Sequence, residues 1–274
     1  MVTSPLELLF EEDDAPRLAL PEELSALYGG GLGLARPTLF ANFVSTVDGV
    51  IAIPGLPRAN RVISRGSASD RFVMGLLRAA ADVVLIGSGT LAGSPRGSWR
   101  PEAMYPAAAE AFVELRRRTG ATPVPPLAVV TATGSVDPAH PVLARDALVV
   151  TTEHGAERLD GRLPAGAELV PLGKAPHVDP RRVVELLHAR GHELILSEAG
   201  PHLFGSLLAA GLVDELFLTV SPLLAGRESL DGRLALVEEQ HLVPEAPVEG
   251  RLVSVRRGGD HLFLRYSLAR AASG

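Results

Sequence analysis

Two short segments have the residue types and spacing to hold an anion next to a hydrogen-bonding carboxylate. Gly87-Ser88-Gly89-Thr90 follows the apolar run Asp82-Val83-Val84-Leu85-Ile86; its glycines allow backbone to approach a phosphate, and the Thr90 hydroxyl can donate to it. The same four residues also suit an ordinary tight turn. The glycines at 87, 89 and 93 miss the spacing of a Rossmann fingerprint. Ser197-Glu198-Ala199-Gly200-Pro201-His202-Leu203 follows a second apolar run, Leu194-Ile195-Leu196. Gly200 as N-cap and Pro201 at the first helical position would leave the amides of His202 and Leu203 free for a pyrophosphate. Glu198 flanks this mouth. A carboxylate repels phosphate, so Glu198 is assigned to hydrogen-bond donors of a substrate; an exposed strand-end acid is the plainer alternative.

Asp48 precedes Gly49 in a turn signal, and we read it first as organising that loop and second as a catalytic candidate. The catalytic role stays open between Asp48 and Glu198. His188 and His192 have helix-like spacing, but Gly191 stops the helix between them; with His177 and His202 they are read as solvent-facing, and no metal is assigned. Arg116-Arg117-Arg118 reads as a solvated helix C-terminus.

Composition removes whole classes of chemistry. The chain has no cysteine, which excludes disulfides, thiolate metal sites and cysteine nucleophiles. Its 32 acidic against 26 basic residues give a net charge of −6, a poor match for nucleic-acid phosphates. Met1 to Phe10 lacks the basic start and apolar run of a signal peptide, and no stretch stays apolar for the ~20 residues of a membrane span, so a cytoplasmic protein is expected.

The elements that must position these residues alternate. Leu39 to Val44 reads as a strand, with Val50 to Ile53 continuing extended. Phe72, Val73, Leu76, Leu77 and Ala80 repeat at helical spacing, predicting a helix over 69–80 with Ser67, Ser69 and Asp70 among its cap candidates. A strand over 82–86 follows, then a helix over 106–118, strands at 127–130 and 147–150, a helix over 180–190 capped by Asp179, a strand over 193–197 and a helix over 201–210. Residues 214–221, 234–240, 251–257 and 261–268 are strand-like, the last two joined by the hairpin signal Gly258-Gly259-Asp260. This order predicts an α/β fold: a mixed, mostly parallel sheet with helices on both faces and an antiparallel C-terminal edge. Residues 1–36 read as a short helical arm on a glycine-rich connector, outside one domain over 37–270.

Three blocks, in this order and spacing, resemble the RibD C-terminal reductase domain and the wider dihydrofolate-reductase-like superfamily. They are Arg36-Pro37 to Ser45-Thr46-Val47-Asp48-Gly49, Leu77-Arg78-Ala79 to Thr90, and Ser197 to Leu208 followed by Gly211-Leu212-Val213-Asp214-Glu215-Leu216. The resemblance implies NADPH lying across the strand ends, usually in a homodimer, and hydride transfer to 5-amino-6-(5-phosphoribosylamino)uracil, whose ribose becomes a ribityl chain. By position it places Gly87, Ser88, Gly89 and Thr90 on the cofactor phosphates, Gly200, Pro201, His202, Leu203, Phe204, Gly205 and Ser206 in a second cofactor segment, and Ser45 beside the nicotinamide. Asn60, Arg78 and Glu198 fall where the family holds pyrimidine and ribose phosphate, with Arg96 or Arg100 as further phosphate ligands. Thr131 and Thr133, with Arg65, are read as donors to a 2′-phosphate.

Departures from the pattern bear on the substrate. Where the family carries Asp-Asp-Pro, this chain has Gly93-Ser94-Pro95-Arg96; Val50 replaces a commonly basic residue and Ala199 a glycine. Without cysteine, the zinc deaminase chemistry of bifunctional relatives is excluded. Two alternatives remain: a dihydrofolate or pterin reductase, for which a buried carboxylate on the 69–80 helix is wanted and Asp70 is read only as a cap, and a nucleotide-binding paralogue without catalysis.

Overall fold

Short β-branched runs flanked by amphipathic helices build one sheet in the computed structural model, which describes residues 3–13, 18–56, 59–227 and 232–269. The strands are β1 (Glu7–Glu11), β2 (Thr38–Thr46), β3 (Val83–Gly87), β4 (Leu127–Thr131), β5 (Ala147–Thr151), β6 (Ala167–Pro171), β7 (Leu194–Ser197), β8 (Glu215–Ser221), β9 (Gly250–Gly258) and β10 (His261–Leu268). Their order across the sheet is β1-β9-β10-β8-β2-β7-β3-β4-β5-β6. Every neighbouring pair from β8 to β6 is parallel, and β1, β9, β10 and β8 pair antiparallel. The parallel strands therefore end on one edge of the sheet, where ligands of such folds bind.

The helices are α1 (Glu22–Tyr28), α2 (Ala59–Ile63), α3 (Ala68–Ala80), α4 (Ser88–Ala92), α5 (Pro101–Met104), α6 (Ala109–Arg118), α7 (Glu153–Leu159), α8 (Pro180–Ala189) and α9 (Pro201–Ala209). Alternating strand residues feed two cores. Phe40, Val84, Ile86 and Val129 pack with Phe72, Leu76, Phe112 and Leu115 of α3 and α6. Phe43, Leu85, Ala128 and Ile195 pack with Val183, Leu187, Phe204 and Leu207 of α8 and α9. The expected fold class is thus the observed one, with period-2 strands covered on both faces.

Within the first 36 residues, the described stretches 3–13 and 18–36 are part of this fold, which corrects their reading as an appendage. β1 pairs with β9, and Leu6, Leu24, Tyr28 and Leu32 enter the core. The cause lies in Arg256, a buried charge on β9 that needs partners: it donates to Glu11 Oε1 (2.6 Å) and the Tyr28 carbonyl (2.9 Å), and lies 4.0 Å from the Tyr28 ring centroid. Residue 270, the expected end of the domain, lies outside the described residues.

Residues 234–240 form no strand; only Leu234 bridges to Ala52, and the Glu238 carboxylate accepts from the Ala235 amide at 2.6 Å, a local bond that competes with strand pairing. Of Gly87 to Thr90, which also suited a tight turn, Gly87 caps α4 and Ser88, Gly89 and Thr90 form its first residues. Arg116 is not solvated: it is 1% exposed and donates to the carbonyls of Arg78 (3.3 Å), Ala79 (3.1 Å) and Ala81 (2.7 Å), closing the C-terminus of α3. Burial lowers its guanidinium to about 10. Arg117 and Arg118 stay exposed, paired with Glu114.

Candidate active site

β3 and β7 are adjacent and parallel, with Leu85 opposite Ser197, so the two segments expected to bind an anion leave the sheet side by side. Gly87 is the N-cap of α4, Gly200 the N-cap of α9, and Pro201 takes the first turn of α9. A Cβ built on Gly200 would stand 3.5 Å from Thr90 Oγ1, and one on Gly87 would stand 3.8 Å from Leu203. Neither contact is a clash, and a Cβ on Gly89 would meet nothing within 4 Å. Gly89 and Gly200 are therefore not required by packing or by a left-handed backbone; they leave an open cradle beside the first-turn amides of α4 and α9.

The carboxylate side is built by α3. Arg78 reaches from its last turn to Glu198, donating Nε to Oε1 at 2.8 Å and Nη2 to Oε2 at 2.6 Å. The two side chains are 8% and 10% exposed. Glu198 is thus held in one orientation, and each oxygen keeps a further lone pair for an outside donor.

Asp70 is the residue that sequence reasoning misread. Ser67 is the cap of α3, its hydroxyl accepting from the Asp70 amide at 3.2 Å, while the Asp70 side chain is buried among Thr219 of β8, Arg71 and Glu198. Burial pushes its carboxyl up to about 6, against the lowering effects of the Thr219 hydroxyl and Arg71 and with a further rise from Glu198. The signal was available: Ser67 stands three residues earlier, and Asp70 shares a helical face with the buried Val73 and Leu77.

Asp48 ties two loops at the mouth. It accepts from Thr46 Oγ1 (2.5 Å) and from the amides of Ala225 (3.0 Å) and Gly226 (2.7 Å). Those bonds, the Thr46 hydroxyl foremost, lower its carboxyl to about 2. Ser45 is buried near the end of β2.

Several expected residues are turned elsewhere. Phe204 is fully buried with its ring 4.7 Å from that of Phe43; a Cβ on Gly205 would lie 2.8 Å from the Glu238 carbonyl; and Ser206 donates to the His202 carbonyl at 3.0 Å. Phe204 and Gly205 face protein and Ser206 bonds within its own helix, whereas Gly200 to Leu203 form the N-cap and first turn of α9, the part of a helix that offers free amides. The His202 side chain is exposed, 3.5 Å from Glu239. Thr131 adjoins the cradle, since Gly87 lies opposite Val130, but its hydroxyl accepts from the Ser135 amide at 3.1 Å. Thr133 is exposed and bonds Ser135 Oγ at 2.8 Å. Arg65 belongs to the opposite flank, beside His261 of β10, five strands from β4 and so about 24 Å away. It cannot join Thr131 and Thr133. Asn60 is exposed on α2, Arg96 is exposed on the loop after α4, and Arg100 pairs with Glu102 at 2.7 Å. Among the described residues no group of three histidines and carboxylates gathers for a metal, and His188 Nδ1 bonds the His192 carbonyl at 2.9 Å.

A mixed sheet with its cradle at the parallel strand ends defines a dihydrofolate-reductase-like fold, and solved structures share it. A pyrimidine reductase-like protein of Corynebacterium diphtheriae superposes with a TM-score of 0.65 over 85% of this chain and 92% of its own, at 20% identity. The riboflavin biosynthesis reductase Rib7 of Saccharomyces cerevisiae superposes with a TM-score of 0.58 over 91% of this chain and 95% of its own, at 14% identity. Residues 37–263 match the RibD C-terminal domain, and the chain belongs to that family. A curated relative, 27% identical over 71% of this chain and 84% of its own, is the 2,5-diamino-6-ribosylamino-4(3H)-pyrimidinone 5′-phosphate reductase of Archaeoglobus fulgidus.

Proposed function

We propose that this chain is an NADPH-dependent reductase that converts the ribose of a ribosylaminopyrimidine 5′-phosphate to a ribityl chain in riboflavin biosynthesis. The observation that carries this reading is the meeting of Gly200 with Thr90 at the strand ends, next to a Glu198 held by Arg78. Family membership and the named relative support pyrimidine reduction. NADPH would supply a hydride to ribose C1′, while the C1′–ring-oxygen bond breaks and that oxygen takes a proton. The amides of the α4 and α9 first turns bind its pyrophosphate, Thr90 donates to the same phosphates, and Thr133 with Ser135 offers hydroxyls to the adenosine end. Glu198 accepts N–H donors of the heterocycle, and Arg96 binds the 5′-phosphate.

Two pyrimidine substrates fit this reading: the diaminopyrimidinone in the relative's name and the aminouracil of the resemblance, which differ in an amino or oxo group at C2. Glu198 as an acceptor favours the amino form. Asp70 gives a second reading, because it is the buried helical carboxylate that a pterin pocket calls for. The protein is proposed to act as a homodimer; Phe10, Val255, Leu264 and Leu262 share one face of the antiparallel edge, with Phe10 and Leu262 exposed. No helix among the described residues is long and apolar enough to cross a membrane.

The test is titration with NADPH and NADH, followed by oxidation of the reduced nicotinamide in the presence of each pyrimidine phosphate and, separately, dihydrofolate. Turnover of a pyrimidine phosphate with NADPH is expected. Turnover of dihydrofolate alone would establish the pterin reading, binding without turnover a non-catalytic paralogue, and no binding would contradict both.

A further inference from the structure

The loop after α4 starts at the mouth and ends against α3. Gly93 closes α4, its amide donating to the Gly89 carbonyl at 2.9 Å; at the far end, the Pro101 carbonyl lies 3.1 Å from where a Cβ on Gly75 of α3 would stand. The loop thus walls the same side of the sheet as the Arg78–Glu198 pair. Within it, the Gly97 amide donates to the Ser94 carbonyl at 2.7 Å, folding Pro95 and Arg96 into a turn. Trp99, with φ of 47° and 5% exposure, covers Gly97 so closely that a Cβ there would stand 2.7 Å from its ring.

His140 reaches this turn from the connection between β4 and β5. It is 5% exposed, its ring centroid is 6.2 Å from that of Trp99, and both of its nitrogens are engaged. Nδ1 accepts from the Val142 amide at 3.3 Å, so in the neutral ring Nε2 carries the proton and donates to the Ser94 carbonyl at 3.0 Å. One carbonyl therefore receives both the closing bond of the turn and a bond from a side chain 46 residues away.

We propose that His140 is a positioning residue for the substrate phosphate: by gripping Ser94 it sets the turn that presents Arg96 at the mouth. This rests on the reading of Arg96 as the phosphate ligand. An exposed arginine on a free loop must be ordered when it binds, whereas a turn fixed beforehand leaves only the side chain to settle.

Two substitutions separate the ring's two bonds. In His140→Asn the amide oxygen can replace Nδ1 towards Val142, but the side chain is too short to reach Ser94; in His140→Gln the amide nitrogen stands near the position of Nε2. The measurements are KM and kcat for the pyrimidine phosphate, affinity for ribose 5-phosphate by calorimetry, and hydrogen exchange across residues 94–97. His140→Asn is expected to raise KM and the ribose 5-phosphate Kd roughly tenfold and to speed exchange, with kcat and NADPH affinity unchanged, while His140→Gln stays near wild type. Wild-type KM and Kd in His140→Asn would overturn the inference, as would equal losses in both variants accompanied by a fall in Tm. If the wild-type protein neither turns over the pyrimidine phosphates nor binds ribose 5-phosphate, the underlying reading of the site fails and takes this one with it.

Discussion

Arg78 and Glu198, 120 residues apart in sequence, face each other edge to edge through two hydrogen bonds of 2.8 and 2.6 Å. Sequence placed both against a substrate; in the fold the arginine binds the carboxylate, and the carboxylate is left to bind outward. The pair joins the last turn of α3, itself closed by Arg116, to the end of β7.

Arg78→Lys keeps the charge but loses the planar fork, so Glu198 is no longer fixed in orientation. KM for the pyrimidine phosphate should rise roughly tenfold with NADPH affinity unchanged. Glu198→Gln should weaken substrate by about 10- to 100-fold and leave NADPH binding as it is. Equal losses for both ligands in steady-state kinetics and cofactor titration would move Glu198 off the substrate.

Gly200→Val should abolish NADPH binding without unfolding the chain, because its Cβ meets Thr90 only at 3.5 Å while the branches fill the phosphate cradle. Gly205→Ala should do the reverse, lowering Tm through a Cβ that lies 2.8 Å from the Glu238 carbonyl and sparing the cofactor. Fluorescence titration and thermal melts of the two variants give the comparison.

Asp70 takes up its proton at about 6 in the fold and at about 4 in an unfolded chain. The folded state holds more protons between these values, so the stability Asp70 contributes is complete below about pH 4 and is lost as pH rises through 6, a change of about 2 to 3 kcal/mol. Asp70→Asn removes this dependence. Its Tm relative to wild type should rise from pH 4 to pH 8, and a constant difference across melts in that range would count against a buried titrating carboxyl.

Asp48 is fully ionised well above its value of about 2, so it contributes no limb to the pH profile of turnover near neutrality. Asp48→Asn turns an amide group towards the Ala225 and Gly226 N–H donors in place of one carboxylate oxygen. Hydrogen exchange over residues 223–226 should accelerate while the shape of the pH profile stays the same.

The alternation of strands and helices was legible because each parallel strand is covered on both faces and each major helix carries one apolar stripe. Gly87, Thr90, Gly200 and Leu203 could be brought together from sequence because both segments follow parallel strands, whose ends share an edge. What stayed hidden depends on partners distant in sequence. Arg116 looks like one of three solvated arginines until α3 offers its terminal carbonyls. β1 carries Leu8, Leu9 and Phe10 in a row with no alternation, and only β9 gives it a register. Phe204 and Gly205 lie one helical turn past the free amides, where packing against Phe43 and residues 237–240 decides which way they point.

The most direct measurement uses NADPH carrying deuterium at the transferred position of the nicotinamide ring, with a ribosylaminopyrimidine 5′-phosphate as acceptor, and locates the label in the product by nuclear magnetic resonance. Deuterium at C1′ of a ribityl chain is the predicted result. Product without label at C1′, or no product from a protein that binds both ligands, would contradict hydride transfer at this site.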